Sequence, residues 1–259
     1  MAVTLARPTR CSSPQAPPEN ECRAQPDAPR QRSRAEGVKR RSGRALILLA
    51  ALFLTGCTEP AEPTVNLHRA VEIGDIDQVS RHIYWKSDLG EPDAHGDPPL
   101  HVAARAGRVA ITRELARNGA DLEAPNAAGK TPLRVALEND RTQVADMLIN
   151  QGAPLDAQGM LIELVGAGAI KRETLDFLLH AGAQLDGRGQ SGDAPLHVAI
   201  RNGQLETVRQ LILAGANVNQ PADDGRLPLR IARESAPGRD ARFIVSTLER
   251  NGARVVPPP

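Results

Sequence analysis

A short motif recurs along this chain at a nearly fixed interval. In its fullest form it reads Pro195-Leu196-His197-Val198-Ala199. The leucines at positions 67, 100 and 133 are 33 residues apart, as are those at 196 and 229. A period of this size indicates an array of small supersecondary units, each burying its apolar face only by stacking on its neighbours. Related openings lie at residues 67–70, 99–103, 132–136 and 228–232.

Each unit is predicted to hold two helices and a loop. A proline begins the first helix in four units, where its missing N–H is not needed. A Gly-Ala pair follows the second helix, and glycine suits the left-handed residue that ends a helix. Aromatic residues make up only 2% of the chain, which favours thin helix layers packed through Ala, Leu, Val and Ile. The Gly-Ala pairs stand at 119–120, 152–153, 182–183, 215–216 and 252–253.

Residues 129–133 and 192–219 carry the pattern G-x-T-P-L-H-x-A followed by L-x-x-G-A-x-x-N in its best-preserved form. This pattern resembles the ankyrin repeat. The resemblance covers residues 65–256 and implies an all-α solenoid of about six helix-turn-helix units with hairpin-like loops, called fingers. It also implies that partner proteins meet the finger tips and the exposed side of the first helices, on a concave face.

The fourth unit departs most from the pattern. Residues 158–183 lack the Thr-Pro-Leu-His opening, and the unit is three residues short. We therefore predict a stunted finger and a weak point in the array here. The first unit is expected to cap the N-terminal end. The last unit carries an insertion at 235–240 and a polar-faced outer helix, 242–250, which suits a C-terminal cap.

The first part of the chain is not expected to join this fold. Residues 1–37 are rich in Pro, Arg, Ser and Gln without apolar periodicity, which predicts a disordered leader. Residues 38–56 follow as a basic segment, an apolar run too short to span a bilayer, and small residues, as in a secretory signal peptide. The alternative is that the run Ala45 to Leu54 is a buried helix. Residues 57–64 form a polar tether, and 257–259 a short tail.

The segment Leu54-Thr55-Gly56-Cys57 resembles the lipobox of bacterial lipoproteins. The resemblance implies that Cys57 is acylated and becomes the first mature residue. It also implies an outer-membrane, periplasm-facing location, because Thr58 stands where an Asp would favour the inner membrane. The long leader leads us to the hypothesis that translation starts at Val38. Peptides from residues 1–37 in native precursor would disprove it.

Several chemistries are not supported by the sequence. Residues 57–259 hold 22 basic and 27 acidic residues, a net charge of −5, which does not favour nucleic-acid binding. No catalytic motif, metal-ligand spacing or cofactor site is predicted. The G-x-G-x-x-G at 187–192 lacks a preceding apolar strand and is interpreted as a finger. Acidic residues at 75, 77, 223 and 224 are interpreted as caps. Histidines 68, 101 and 197 share one repeat position, and the resemblance implies a structural role.

The candidate functional residues therefore lie on the variable surface. Tyr84 and Trp85 end the first outer helix, where they either cover the core or, if exposed, form a binding anchor, since hot spots favour Trp, Tyr and Arg. Lipidation is assigned to Cys57. The other partner-binding candidates, on fingers and inner helices, are Asp93, His95, Asp97, Arg105, Arg108, Asn126, Lys130, Glu138, Arg141, Gln190, Asp193, Arg201, Asn202, Asp223 and Arg226.

These observations predict a non-enzymatic, monomeric ankyrin protein, tethered to the membrane through Cys57, that binds another protein in the periplasm. Two specific roles fit by analogy to other bacterial ankyrin proteins. One is an immunity protein that neutralises a toxic effector acting in the periplasm. The other is an accessory factor for a periplasmic enzyme such as catalase. A hydrolase or ligand-binding protein would need a polar pocket at the irregular fourth unit.

Overall fold

The computed structural model describes residues 59–190, 192–235 and 240–255. The leader, the signal segment with Val38, the lipobox with Cys57, and the tail at 257–259 lie outside these residues. The described residues form twelve helices and no strand. In chain order they are α1 Leu67–Ile73, α2 Ile76–Tyr84, α3 Pro99–Ala106, α4 Val109–Arg117, α5 Pro132–Glu138, α6 Thr142–Asn150, α7 Ala157–Gly166, α8 Arg172–His180, α9 Pro195–Arg201, α10 Leu205–Leu213, α11 Pro228–Ser235 and α12 Ala241–Arg250.

Consecutive helices pair into six units, which confirms the predicted all-α solenoid. The odd-numbered helices are here called inner and the even-numbered helices outer. Each unit packs against the next through inner-to-inner and outer-to-outer contacts, apart from the fourth unit described below. In the part of the chain that the structure describes, no helix is both long and apolar enough to cross a membrane.

The helix ends follow the sequence signals. Proline occupies the first position of α3, α5, α9 and α11, as predicted. Side chains cap other helices: Asn66 accepts a hydrogen bond from the backbone N–H of Arg69, and Asp75 accepts one from Gln78. Gly119 and Gly215 follow the outer helices with φ of 92° and 103°, the left-handed conformation that glycine tolerates best.

The core is a pair of leucine rows that run through the array. One row comes from the inner helices and the other from the outer helices, and every member is almost completely buried. Because each leucine contacts mainly its own unit and the neighbouring units, stability accumulates between neighbours rather than in one central core. The inner row includes Leu100, Leu133, Leu161, Leu196 and Leu229, and the outer row Leu115, Leu148, Leu178, Leu211 and Leu248.

The stunted finger predicted in the fourth unit is confirmed. Only six residues, 151–156, connect α6 to α7, whereas fourteen residues, such as 118–131, make each of the other four connections between units. Part of the loss is regained, because α7 has ten residues and the loop that follows it, 167–171, has five residues where the first, second, third and fifth units have two or three. The net deficit of three residues therefore hides the loss of a whole finger.

The fourth unit is also the least closely packed. Inner helices α5 and α7 approach each other at few points, as do outer helices α8 and α10. Polar side chains also bridge the junction with the third unit. Arg134 pairs with Glu163 at 2.6 Å, and the Thr174 hydroxyl contacts the Leu137 carbonyl at 3.1 Å and Asp140 at 2.8 Å. We call this junction between units three and four the seam.

The last outer helix, α12, begins at Ala241, close to the predicted start at 242. Its apolar residues Ile244 and Leu248 are buried, while Arg242, Glu249 and Arg250 face solvent. This amphipathic helix packs its apolar side against α10 and α11 and leaves its polar side exposed. Residues 236–239 of the predicted insertion lie outside the described part of the chain.

Candidate protein-interaction face

The inner helices and the finger tips together form one surface, here called the inner face. Four fingers end in the same tight turn, at 93–97, 126–130, 189–193 and 222–226. In the first, the backbone N–H of Asp93 donates to the carbonyl of Asp97 at 3.0 Å, and Gly96 donates back to Asp93 at 2.9 Å. Gly96 has a φ of 80°, which the turn requires and glycine permits.

Two of the predicted finger residues hold these turns rather than face outward. The Asp93 carboxylate accepts hydrogen bonds from the backbone N–H groups of His95 and Asp97, at 2.8 and 2.9 Å. The Asn126 side chain accepts equivalent bonds from Ala128 and Lys130. These side chains are engaged within their own turns. By contrast, His95 and Gln190 are exposed at the tips.

The G-x-G-x-x-G segment forms the third finger, as predicted. Gly189 occupies the turn position that Asp93 and Asn126 hold elsewhere, and its N–H donates to the Asp193 carbonyl at 3.0 Å. The next helix begins only at Pro195, after the turn has closed. The geometry that a dinucleotide phosphate needs, a strand leading through the glycines directly into a helix, is not formed by the described residues here.

An ion pair links each finger to its own inner helix at the same two repeat positions, eight residues apart. The pairs are Asp97 with Arg105, Lys130 with Glu138 at 2.6 Å, Asp193 with Arg201 at 3.3 Å, and Arg226 with Glu234 at 3.3 Å. The polarity alternates from finger to finger along the chain. Seven residues predicted separately as partner contacts are thus brought together into one periodic row.

Further polar contacts join these pairs sideways. The Asn126 side chain donates to Asp97 at 2.6 Å, which links the first two fingers. Asp224 bridges Arg201 at 3.3 Å and Arg226 at 2.7 Å, which links the last two. The hydrogen bonds from Arg226 hold the pKa of Asp224 well below its usual range, so this carboxylate stays charged. The row is therefore divided into two linked pairs of fingers, and the missing finger at the seam lies between them.

Three of the four pairs expose their cation more than their anion, whereas in the fourth Arg226 is 30% and Glu234 43% exposed. The carboxylates of Asp97, Glu138 and Asp193 are 5%, 12% and 14% exposed, whereas their partners Arg105, Lys130 and Arg201 are 34–45% exposed. Buried carboxylates therefore fix the orientation of half-exposed basic groups, which limits the side-chain entropy lost when a partner binds. A groove of about 640 Å³ lies beside Arg105, between the first two units.

Three predicted contacts instead serve as links between units. The Arg108 guanidinium donates to the carbonyls of Glu72 and Ile73, at 3.1 and 3.3 Å, at the end of α1. Arg141 donates to Arg105 O at 3.2 Å, and Asn202 donates to Gly166 O at 3.1 Å, in the equivalent places. Each side chain satisfies a free carbonyl at the C-terminal end of the previous inner helix.

The repeated histidines have the structural role that the resemblance implied, in the two units where the finger is complete on both sides. Nε2 of His101 donates to the Lys130 carbonyl at 2.9 Å, and Nε2 of His197 donates to the Gln220 carbonyl at 2.9 Å. Burial lowers the pKa of both rings, so they remain neutral donors at pH 7. Nε2 of His68 is buried without a partner among the described residues.

Tyr84 and Trp85 are not part of the core. They are 51% and 42% exposed, with their rings in an edge-to-face arrangement at 5.8 Å. Of the two interpretations left open by the sequence, exposure is the one observed. They lie at the end of an outer helix and away from the row of ion pairs on the inner helices. Any contact they make therefore belongs to a different surface from the inner face.

Sequence reasoning missed four members of the inner-face network. The repeat position itself would have identified Glu234, since it stands eight residues after Arg226 as Arg105 does after Asp97. Arg134 occupies the repeat position of His101 and His197, where a structural role was expected. Glu163 lies in the irregular unit, where the repeat frame fails. The remaining member, Asp224, was interpreted as a cap, yet it bridges two arginines.

Comparison with known proteins agrees with this geometry. A family model for ankyrin repeats, in three copies, matches residues 67–158 and 165–255, and the gap falls within α7. The mouse B-cell lymphoma 3 protein homolog is 40% identical over 83 residues, 32% of this chain and 18% of the relative. Mouse protein phosphatase 1 regulatory subunit 27 is 36% identical over 70 residues, 27% of this chain and 46% of the relative. The chain thus spans less than half the length of either relative.

Solved structures give longer matches. The ankyrin repeat domain of Bcl-3 aligns with a TM-score of 0.54 and 29% identity, over 75% of this chain and 89% of that one. A chain from the complex of a predatory endopeptidase of Bdellovibrio bacteriovorus with an immunity protein aligns with a TM-score of 0.50 and 25% identity, over 71% and 99%. With the family model covering most of the chain and the finger geometry repeated four times, this chain belongs to the ankyrin-repeat family.

Proposed function

We propose that this chain is a lipid-tethered protein of the bacterial periplasm that binds another protein through its inner face. The periodic row of finger-to-helix ion pairs is the observation that carries the proposal. Ankyrin repeats bind proteins, and here the family surface presents half-exposed basic groups held in place by buried carboxylates. Such pre-organised groups favour a partner with acidic side chains at matching intervals.

The proposed location rests on the sequence. A basic segment, an apolar run and Leu54-Thr55-Gly56-Cys57 follow one another directly before the repeat domain. This order supports export, cleavage before Cys57 and acylation of its thiol, and Thr58 supports the outer membrane. The mature chain would then have no other cysteine, which suits an oxidising compartment.

An immunity role is the more specific candidate. It is favoured by the similarity to a chain from an endopeptidase–immunity protein complex, which this chain matches over 99% of that chain's length. On this proposal the inner face covers a hydrolytic effector that acts in the periplasm, and the chain itself is not an enzyme. The alternative is an accessory role, in which the partner is a periplasmic enzyme such as catalase. Affinity capture would then recover that enzyme and not a toxic effector.

The test is affinity capture from periplasmic extract with wild-type protein and a variant carrying both Arg105→Gln and Arg201→Gln. Glutamine can still donate to Asp97 and Asp193, so the fingers keep a hydrogen bond while the positive charges are lost. If both arginines are binding hot spots, the affinity for the captured partner falls by about 10-fold or more. A hydrolytic effector as partner supports immunity, and a catalase supports the accessory role.

Arg113→Gln provides the matched control. Arg113 is exposed on outer helix α4, so the same substitution removes a charge from the outer side of the unit that holds Arg105. We expect this variant to retain wild-type affinity. Equal losses for the control and the inner-face variant, with unchanged melting temperatures, would contradict the assignment of the binding surface.

A further inference from the structure

The first unit holds more of the exposed large apolar side chains than any other described unit. Four of the large apolar side chains that are more than 40% exposed among the described residues belong to it: Ile73, Ile76, Tyr84 and Trp85. Ile76, Ser80 and Tyr84 are spaced four residues apart, so they lie along one side of α2. All three are exposed, so no repeat among the described residues covers that side. We call Tyr84 and Trp85, with this side of α2, the aromatic edge.

The incoming chain runs along the same helix. The N–H of Thr64 donates to the Gln78 side chain at 2.9 Å, and Nε2 of His82 contacts the Val65 carbonyl at 2.7 Å. Farther out, the indole N–H of Trp85 donates to the Pro60 carbonyl at 3.3 Å. The segment predicted as a polar tether is therefore held against the first unit at Pro60, Thr64 and Val65, and Pro60 sits beside the exposed indole.

This attachment leaves little free chain between the array and the lipidation site. Cys57 lies only three residues before Pro60. A fully extended chain spans at most about 3.6 Å per residue, so Pro60 lies within about 11 Å of the acylated cysteine. The headgroup layer of a bilayer is about 5 to 8 Å thick on each side. A lipid anchor on Cys57 would thus hold Pro60, and Trp85 with it, in or next to the headgroups.

We propose that the aromatic edge is a membrane-contact surface that rests in the headgroup layer of the bilayer in which Cys57 is anchored. This inference rests on the proposed lipid tether. Tyr and Trp concentrate at membrane interfaces, because their rings are apolar while the hydroxyl and indole N–H remain hydrated. The exposed acidic side chains of Glu59 and Glu62 oppose deeper insertion, so the contact is shallow.

The contact has a consequence for binding. A single short tether alone would let the array rotate freely above the membrane. A second contact at the first unit restricts that rotation and places the later repeats farther from the bilayer. The inner face of those repeats would then be presented to proteins in the periplasm, and the orientation would reduce the entropy lost on binding.

Trp85 allows a direct test, because it is the only tryptophan in the chain. The full-length lipidated protein is purified and reconstituted into phosphatidylethanolamine–phosphatidylglycerol vesicles with and without brominated acyl chains. We expect Trp85 emission to shift to the blue on reconstitution, to lose intensity with the brominated lipids and to be protected from acrylamide in water. Flotation of the vesicles and the mass of the protein measure anchoring and acylation independently.

A variant with Trp85→Phe and Phe243→Trp is the matched control. Phe243 is 48% exposed on α12, in the last unit, so the relocated indole should keep an unshifted emission that brominated lipids do not reduce. If the protein is acylated and floats with vesicles but Trp85 emission is unaffected by brominated lipids, the membrane contact is overturned and the tether stands. Protein without acyl chains on Cys57 would overturn the tether and this proposal together.

Discussion

Cys57→Ala is expected to move the protein from the membrane fraction to the soluble fraction. Without the thiol there is no acceptor for the acyl chains, and several chains are what make such anchoring firm, since a single one gives only marginal binding. The aromatic edge alone is too small and shallow to replace them. Cell fractionation with immunoblotting of wild-type and variant protein in the native host measures the change.

The two other cysteines of the chain provide the controls. Cys11 and Cys22 lie in the leader, and replacing either by Ala should leave the membrane association unchanged. Mass spectrometry of the wild-type protein should find the acyl groups on an N-terminal Cys57. Membrane association that persists in the Cys57→Ala variant, with the wild-type mass unmodified, would rule out lipidation as the anchor.

Leu229→Ala is expected to destabilise one half of the array and spare the other. Leu229 is 2% exposed in α11, and a buried Leu→Ala change costs about 2–5 kcal/mol. Units couple only to their neighbours, and at the seam the inner helices α5 and α7 make few close approaches, with polar contacts such as Arg134 with Glu163 beside them. Hydrogen exchange should therefore show lower protection in α9 to α12 and near-native protection in α1 to α6.

Leu100→Ala is the mirror-image control, because Leu100 is 1% exposed in α3, on the other side of the seam. It should lower protection in α1 to α6 and leave α9 to α12 close to the wild type. If both variants lower protection evenly along the whole chain, the array unfolds as a single cooperative unit. The prediction of a weak point at the fourth unit would then be wrong.

Most of the fold could be predicted because the repeat carries its own signals. Proline at the first helical position and glycine after the second helix indicated the helix boundaries in the second, third, fifth and sixth units. The period predicted that residues 187–192 form a finger and not a phosphate loop. The fourth unit was harder to predict. The sequence shows only a net deficit of three residues, whereas the structure combines a much larger loss in the finger with a longer α7 and a longer loop after it.

The site was predicted only in part, for a physical reason. A finger residue and an inner-helix residue eight positions apart meet in space. Which of the two side chains faces outward depends on the other groups within reach, such as charged side chains and backbone carbonyls of the previous unit. Arg105 and Arg108 are near each other in sequence, yet Arg105 pairs with Asp97 whereas Arg108 donates to carbonyls of the previous unit. The exposure of Trp85 likewise depended on where residues 60–65 run, which composition does not reveal.

The most direct test of the account is photo-crosslinking in living cells of the native host. A photoreactive amino acid replaces Gln190 at an exposed finger tip, and, as the matched control, Glu206 on outer helix α10 of the same repeat. Binding through the inner face predicts a discrete protein adduct from position 190 and none from position 206. An adduct of equal yield from position 206, or none from position 190 while the partner is present and the protein is folded, would contradict it.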